Sequence, residues 1–76
     1  MFYSIDIHSL TKTEAKVAID NFIDSQSSFC QEVEVIHGYS STILRDYVRK
    51  QYRHKRVSKK ILTTNPGITI LVLKNG

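Results

Sequence analysis

Glu32-Val33-Glu34-Val35-Ile36-His37-Gly38-Tyr39-Ser40-Ser41 decides the fold. Its first half alternates acidic and β-branched residues with period two, the pattern of a strand with one buried face. Gly38 punctuates that pattern, and Ser40 or Ser41 supplies a side-chain oxygen able to cap a helix that follows. A strand that runs through a glycine turn into a helix is half of an α/β unit. On that helix Ile43, Leu44, Tyr47, Val48 and Gln51 or Tyr52 form the expected buried stripe, and Arg45, Arg49, Lys50, Arg53 and Lys55 are expected to face water.

Upstream, Phe2 to Ile7 alternates in the same way and reads as a first strand. Thr11-Lys12-Thr13-Glu14 has the spacing of a capping box, in which the Thr11 hydroxyl takes an early helix N–H and Glu14 reaches back. Behind it Ala15, Ala18, Ile19, Phe22 and Ile23 fall on one helical face, so a first helix is expected to end between Asp24 and Ser27. Downstream, Val57 to Thr63 reads as a third strand and Asn65-Pro66-Gly67 as a turn. The nearly unbroken apolar run Ile68 to Leu73 suits a strand in the middle of a sheet. The order β-α-β-α-β-β predicts a two-layer α/β sandwich, a single domain over residues 1–76. Its four-stranded sheet is expected to be mixed and mostly parallel, with two helices.

At 76 residues the chain buries only about 60% of the surface that it exposes when unfolded, so its core has nothing to spare. No apolar run reaches the roughly 20 residues of a membrane span, and the first residues lack the basic and apolar regions of a signal peptide. The single cysteine, Cys30, cannot close an internal disulfide. It reads as a small buried hydrophobe, and a cytoplasmic location is expected. The net charge of +4 is unevenly spread. Up to His37 the acids Asp6, Glu14, Asp20, Asp24, Glu32 and Glu34 face only Lys12 and Lys16. From Arg45 to Lys60 the bases Arg45, Arg49, Lys50, Arg53, Lys55, Arg56, Lys59 and Lys60 face Asp46 alone. Such a cationic segment is the footprint of a polyanion partner, with DNA or RNA favoured over a merely solvated helix face.

The candidate chemistry sits at the strand ends. Asp6 and His8 are two residues apart, a spacing that on a strand turns both side chains to one face. An acid there orients the imidazole and favours its protonated form. His37 and Gly38 close the second strand, and ligands of open α/β sheets bind beyond such ends. The first amides of the second helix, near Ser41, Thr42 and Ile43, offer an anion site that Arg45 can reinforce. No metal-ligand spacing is present. Asp6 and His8 supply two ligands at most, so no cofactor is expected, with a divalent ion left open.

Taken together, Ile5-Asp6-Ile7-His8 followed by an alanine-rich amphipathic helix, then His37-Gly38-Tyr39-Ser40, Leu44-Arg45 and a terminal apolar strand resemble the Smr (small MutS-related) domain. The matching segments are that family's "LDxH" and its "HGxG" or "TGxG". The resemblance implies a sandwich similar to the C-terminal domain of a bacterial translation initiation factor, and DNA or RNA binding. It also implies endonuclease activity in several members, some of it on ribosome-bound messages. By the same resemblance Asp6 and His8 would be catalytic, and His37 and Gly38, with Arg45 nearby, would position the nucleic-acid backbone. The loop residues Tyr39, Ser40 and Ser41 and the bases Arg49, Lys50, Arg53 and Arg56 are further expected contacts to nucleic acid, read from the loop and from the cationic segment. The sequence departs from the family pattern at Ser40, Thr42 and Ser9, where glycine is frequent. That departure raises an alternative, a module that binds nucleic acid or protein without cleaving anything.

Overall fold

The computed structural model describes residues 3–39 and 42–74. The elements are strand β1 (Tyr3–Asp6), helix α1 (Lys12–Asp24), strand β2 (Glu32–Ile36) and helix α2 (Thr42–Asp46). Helix α2 continues as a π-helical turn over Tyr47–Gln51, and strands β3 (Val57–Leu62) and β4 (Ile68–Leu73) follow. Phe2, expected to open the first strand, lies outside the described residues. The four strands form one sheet in the order β1-β2-β4-β3.

The expectation of a mostly parallel sheet is corrected. Only β1 and β2 pair in parallel; β2 with β4 and β3 with β4 are antiparallel. The reason lies in the turn at Thr63–Gly67. It is too short to carry β4 across the sheet for a parallel return, so β4 folds straight back on β3 and enters the gap between β3 and β2. That central place accounts for its apolar run: Thr69, Leu71 and Leu73 are buried on one face, and Ile68, Ile70 and Val72 are half-buried on the other.

Helix α1 begins as the capping box requires. The Thr11 hydroxyl accepts from the Glu14 N–H at 3.2 Å, and the Glu14 carboxylate accepts from the Thr11 N–H at 2.9 Å. Ala15, Ile19 and Ile23 bury one stripe of the helix against Ile7, Val33, Val35 and Leu71. Full burial of each of these larger aliphatic side chains is worth about 1.5–3 kcal/mol.

The second helix departs from the expected stripe. Leu44, Val48 and Tyr52 are buried, whereas Ile43 is 60% exposed and Gln51 is exposed. The π turn decides between Gln51 and Tyr52. The Tyr52 N–H donates to the Tyr47 carbonyl at 2.8 Å, five residues back, and a wider turn keeps Tyr52 in line beneath Val48. The Tyr52 hydroxyl then donates to Asp20 on α1 at 2.6 Å, and burial with that carboxylate raises its pKa far above the usual phenol range.

Arg56, expected among the nucleic-acid contacts, is a structural residue. Its guanidinium donates to the carbonyls of Ile23, Gln26, Ser27, Cys30 and Lys74 at 3.1–3.4 Å. It thereby ties the α1–β2 loop to the end of β4. Charged hydrogen bonds of this kind contribute about 1.5–3 kcal/mol net. Arg56→Met is expected to lower the unfolding free energy in urea by about 2 kcal/mol or more. The exposed Lys55→Met is expected to change it by less than about 0.5 kcal/mol.

Candidate nucleic-acid interface and acid–histidine pair

The turn Asn65-Pro66-Gly67 and the exit of β2 are bound into one edge of the domain. The Gly67 carbonyl accepts from the N–H groups of both His37 and Gly38, at 2.9 and 3.1 Å. Gly38 has a φ of 81°, a left-handed conformation that glycine adopts without a Cβ penalty. A Cβ on Gly38 would also come within 3.3 Å of His8 Cβ. The β2 exit therefore packs directly against the β1 exit, and the His8 segment and the Gly38 segment meet.

Asp6 and His8 form a local pair. His8 lies one turn beyond the strand, not on it, so the sequence reading of a shared strand face is corrected. A carboxylate two residues before a turn instead reaches forward: Asp6 Oδ1 accepts from the His8 N–H at 3.0 Å and from His8 Nδ1 at 2.6 Å. The backbone bond first, and the ring bond second, hold the Asp6 carboxyl below the usual carboxylate range. Because a carboxylate only accepts, Nδ1 carries the hydrogen. Nε2 is left with no partner among the described residues. The side chains of His8 and Asp6 are 64% and 52% exposed. His8 also borders a cleft of about 500 Å³ lined by Thr11, Lys12, Thr13, Ile43 and Leu44.

His37 does not join them. Its side chain is 1% exposed, and both ring nitrogens have partners. Nε2 lies 2.9 Å from Thr69 Oγ1, and Nδ1 lies 3.3 Å from the Gly38 carbonyl. Thr69 Oγ1 also accepts from Arg49 Nε at 2.8 Å, and the same guanidinium donates to the Ile68 carbonyl at 3.0 Å. A carbonyl only accepts, so Nδ1 donates to Gly38; Nε2 then accepts from the Thr69 hydroxyl. Desolvation foremost, with the charges of Arg49 and Arg45 beside it, pushes the His37 pKa below its ordinary value and keeps the ring neutral. Arg49, expected to face water, is thus half-buried and engaged. Arg45 pairs with Asp46 at 3.4 Å.

The remaining bases form a second feature. A groove of about 700 Å³ runs between the π turn and β3, lined by Arg49, Lys50, Arg53, His54, Lys55, Lys59 and Lys60, with no carboxylate among the lining residues; of these, His54 Nε2 lies 2.9 Å from Asp24 Oδ1 on α1. Lys60 Nζ donates to the Tyr52 carbonyl at 2.7 Å, and burial, reinforced by Arg53, holds its pKa below the usual lysine value. Lys50, Arg53, Lys55 and Lys59 have no acidic partner among the described residues. The groove follows β3, and the acid–histidine pair follows β1. Those strands lie at opposite edges of the sheet, three strand spacings or about 14 Å apart. Of the lining bases the sequence reading named Arg49, Lys50 and Arg53 but not His54, Lys55, Lys59 and Lys60 in this role. The charge run through residue 60 was the available signal. Ser40 and Ser41, named as contacts to nucleic acid, lie outside the described residues. Among the described residues no three His, Cys, Asp or Glu side chains are grouped to hold a metal ion, and no helix is long and apolar enough to cross a membrane.

The geometry is that of a small α/β domain carrying an acid–histidine pair at one sheet edge and a cationic groove at the other. The family model of the Smr domain matches residues 5–68, from the strand that carries Asp6 through the turn that binds the β2 exit. The chain belongs to the Smr domain family, which is associated with nucleic-acid binding and nicking endonuclease activity. No curated protein and no solved structure gives a significant match.

The buried His37 carries a pH signature. The folded chain holds the ring neutral, whereas the unfolded chain binds its proton near the ordinary value of about 6.5. Between the two values the unfolded state binds more protons, so stability rises with pH there. The urea midpoint is expected to be highest above neutrality and to fall as pH drops below about 6.5. His37→Gln should flatten that part of the profile. The depressed carboxyl of Asp6 acts in a lower window, below the usual carboxylate range.

Proposed function

We propose that this Smr domain binds RNA or DNA along the groove beside β3 and holds a phosphodiester at the Asp6–His8 pair for endonucleolytic cleavage. The observation that carries the reading is the groove: Lys50, Arg53, Lys55 and Lys59 line it without a carboxylate among the lining residues, and among the described residues the one acid that reaches a lining base is Asp24, at His54. A nucleic-acid backbone is the polyanion that follows such a line, and it gains affinity by releasing its counterions. Lys50, Arg53, Lys55 and Lys59 supply the phosphate contacts. Arg49 braces the groove from beneath, through Thr69 and Ile68.

At the other edge, Asp6 fixes the His8 tautomer, so that Nε2 is the basic nitrogen presented outward. Nε2 takes the proton of the attacking oxygen, a water or, in RNA, the neighbouring 2′-hydroxyl. The Asp6 carboxylate stabilises the imidazolium that forms, and the leaving oxygen takes its proton from solvent. Thr11 and Lys12 in the adjoining cleft offer a hydroxyl and a positive charge to the phosphate. General acid–base catalysis by one histidine contributes about 10²- to 10⁴-fold. A second reading, binding without cleavage, is favoured by Ser9 and Thr42, which stand where the family pattern frequently has glycine.

Two measurements separate these readings. In a binding titration over 50–200 mM salt, the logarithm of the association constant is expected to fall steeply. Replacing Lys50, Arg53 or Lys55 singly by alanine should lower that slope by about one each. A salt-independent affinity would remove the groove from the reading. With labelled RNA and DNA, His8→Ala is expected to lose about 10²-fold or more in cleavage while binding persists. Cleavage equal in the wild type and His8→Ala would mark a contaminant, and a domain that binds without cutting would establish the second reading.

A further inference from the structure

Tyr39 is 72% exposed in the loop directly after Gly38, and its ring has a seat. A Cβ on Gly67 would come within 3.2 Å of both Cδ1 and Cε1 of that ring. Gly67 has no left-handed φ, so the backbone there does not call for glycine. What the missing side chain provides is room, and the tyrosine ring lies in it. The seat is firm. The Gly67 N–H donates to Asn65 Oδ1 at 2.8 Å, and the Gly67 carbonyl accepts from two amides at the β2 exit. Thr63 Oγ1 closes the same turn by donating to the Asn65 carbonyl at 2.8 Å. One side of an aromatic ring is thus backed by a buried glycine, while most of its surface stays open. At the preceding residue, Gly38, an added Cβ would come within 3.3 Å of His8 Cβ, which puts this platform near the acid–histidine pair.

We propose that Tyr39 is a stacking platform for an unpaired nucleobase next to the phosphate held at His8, and that it makes the domain selective for unpaired strands over duplex. The proposal rests on the nucleic-acid reading and adds the class of substrate to it. In a duplex both faces of each base are covered by neighbours; only an unpaired or extruded base presents a free π-face to a side chain. Stacking of this kind tolerates any base, and its loss by alanine substitution costs about 5- to 150-fold in affinity. The phenol edge keeps the ring compatible with solvent when no strand is bound.

The chain contains no tryptophan, so Tyr39→Trp introduces a single indole reporter at the platform. Three probes are titrated at low salt: a ten-nucleotide oligothymidylate, an abasic oligonucleotide of the same length, and a blunt duplex. The expected result is quenching of the indole by the base-bearing single strand and not by the abasic one. The wild type and Tyr39→Phe should bind the base-bearing strand about tenfold or more tighter than the abasic strand, and Tyr39→Ala should bring the two together. Equal binding of both strands by the wild type, or a base preference that survives Tyr39→Ala, overturns the platform and leaves the nucleic-acid reading standing. Failure of the wild type to bind any of the three overturns both.

Discussion

The hydrogen-bond chain from Arg49 through Thr69 and His37 to Gly38 ties the π turn to the exit of β2 through β4. Arg49 gives a hydrogen to the Thr69 hydroxyl, the hydroxyl gives one to His37 Nε2, and His37 Nδ1 gives one to the Gly38 carbonyl. Each group has one role that its chemistry permits, so the tautomer of the ring and the direction of the hydroxyl are both determined. The chain crosses from the π turn through β4 to the β2 exit. His37 and Thr69 in it are buried, and a gap at either would leave a buried polar atom without a partner, at a cost of about 1–3 kcal/mol. Its last member, Gly38, stands where an added Cβ would come within 3.3 Å of His8 Cβ.

The positive charge of the chain therefore divides into two kinds. Arg49 and Arg56 are committed to protein oxygens, and Lys60 gives its ammonium to a carbonyl. Lys50, Arg53, Lys55 and Lys59 make no such bonds among the described residues. Sequence position does not separate the two kinds, since both fall within the same run of bases. Contact does: a guanidinium with several fixed acceptors has little to give a moving phosphate, whereas an ammonium in water can follow one.

Much of the architecture was legible in local signals. The capping box at Thr11–Glu14, the period-two pattern of β2 and the apolar run of β4 each specify their element through short-range physics, and each stands where the sequence puts it. Sheet order was less legible, because a βαβ pattern suggests parallel neighbours and the Asn65-Pro66-Gly67 turn had to be weighed against it. The π turn left no mark in the apolar spacing beyond the choice between Gln51 and Tyr52. At the site, Asp6 and His8 were readable as a pair, though the turn and not the strand joins them. His37 was misplaced because a histidine at a strand end looks the same whether the ring points outward or inward. Only Thr69, thirty-two residues away, decides the matter.

The exposure of Asp6 and His8 has a consequence for any chemistry they perform. In water an imidazole–carboxylate pair is weakly coupled and unfocused, because screening by solvent reduces every charge interaction around it. Catalysis of the proposed kind requires that water be excluded when the strand arrives. Apolar and aromatic surfaces that would serve for exclusion already flank the pair. Ile43 and Leu44 line the cleft on one side, and the Tyr39 loop follows Gly38, where an added Cβ would come within 3.3 Å of His8 Cβ. A bound base seated on Tyr39 would help to dehydrate the space above His8 and strengthen the bond to Asp6 as it does so. On this argument, in the proposed reading, the substrate itself would complete the site around the exposed dyad. Ile43, left outside the core by the turn of α2, then has a use that packing alone does not give it.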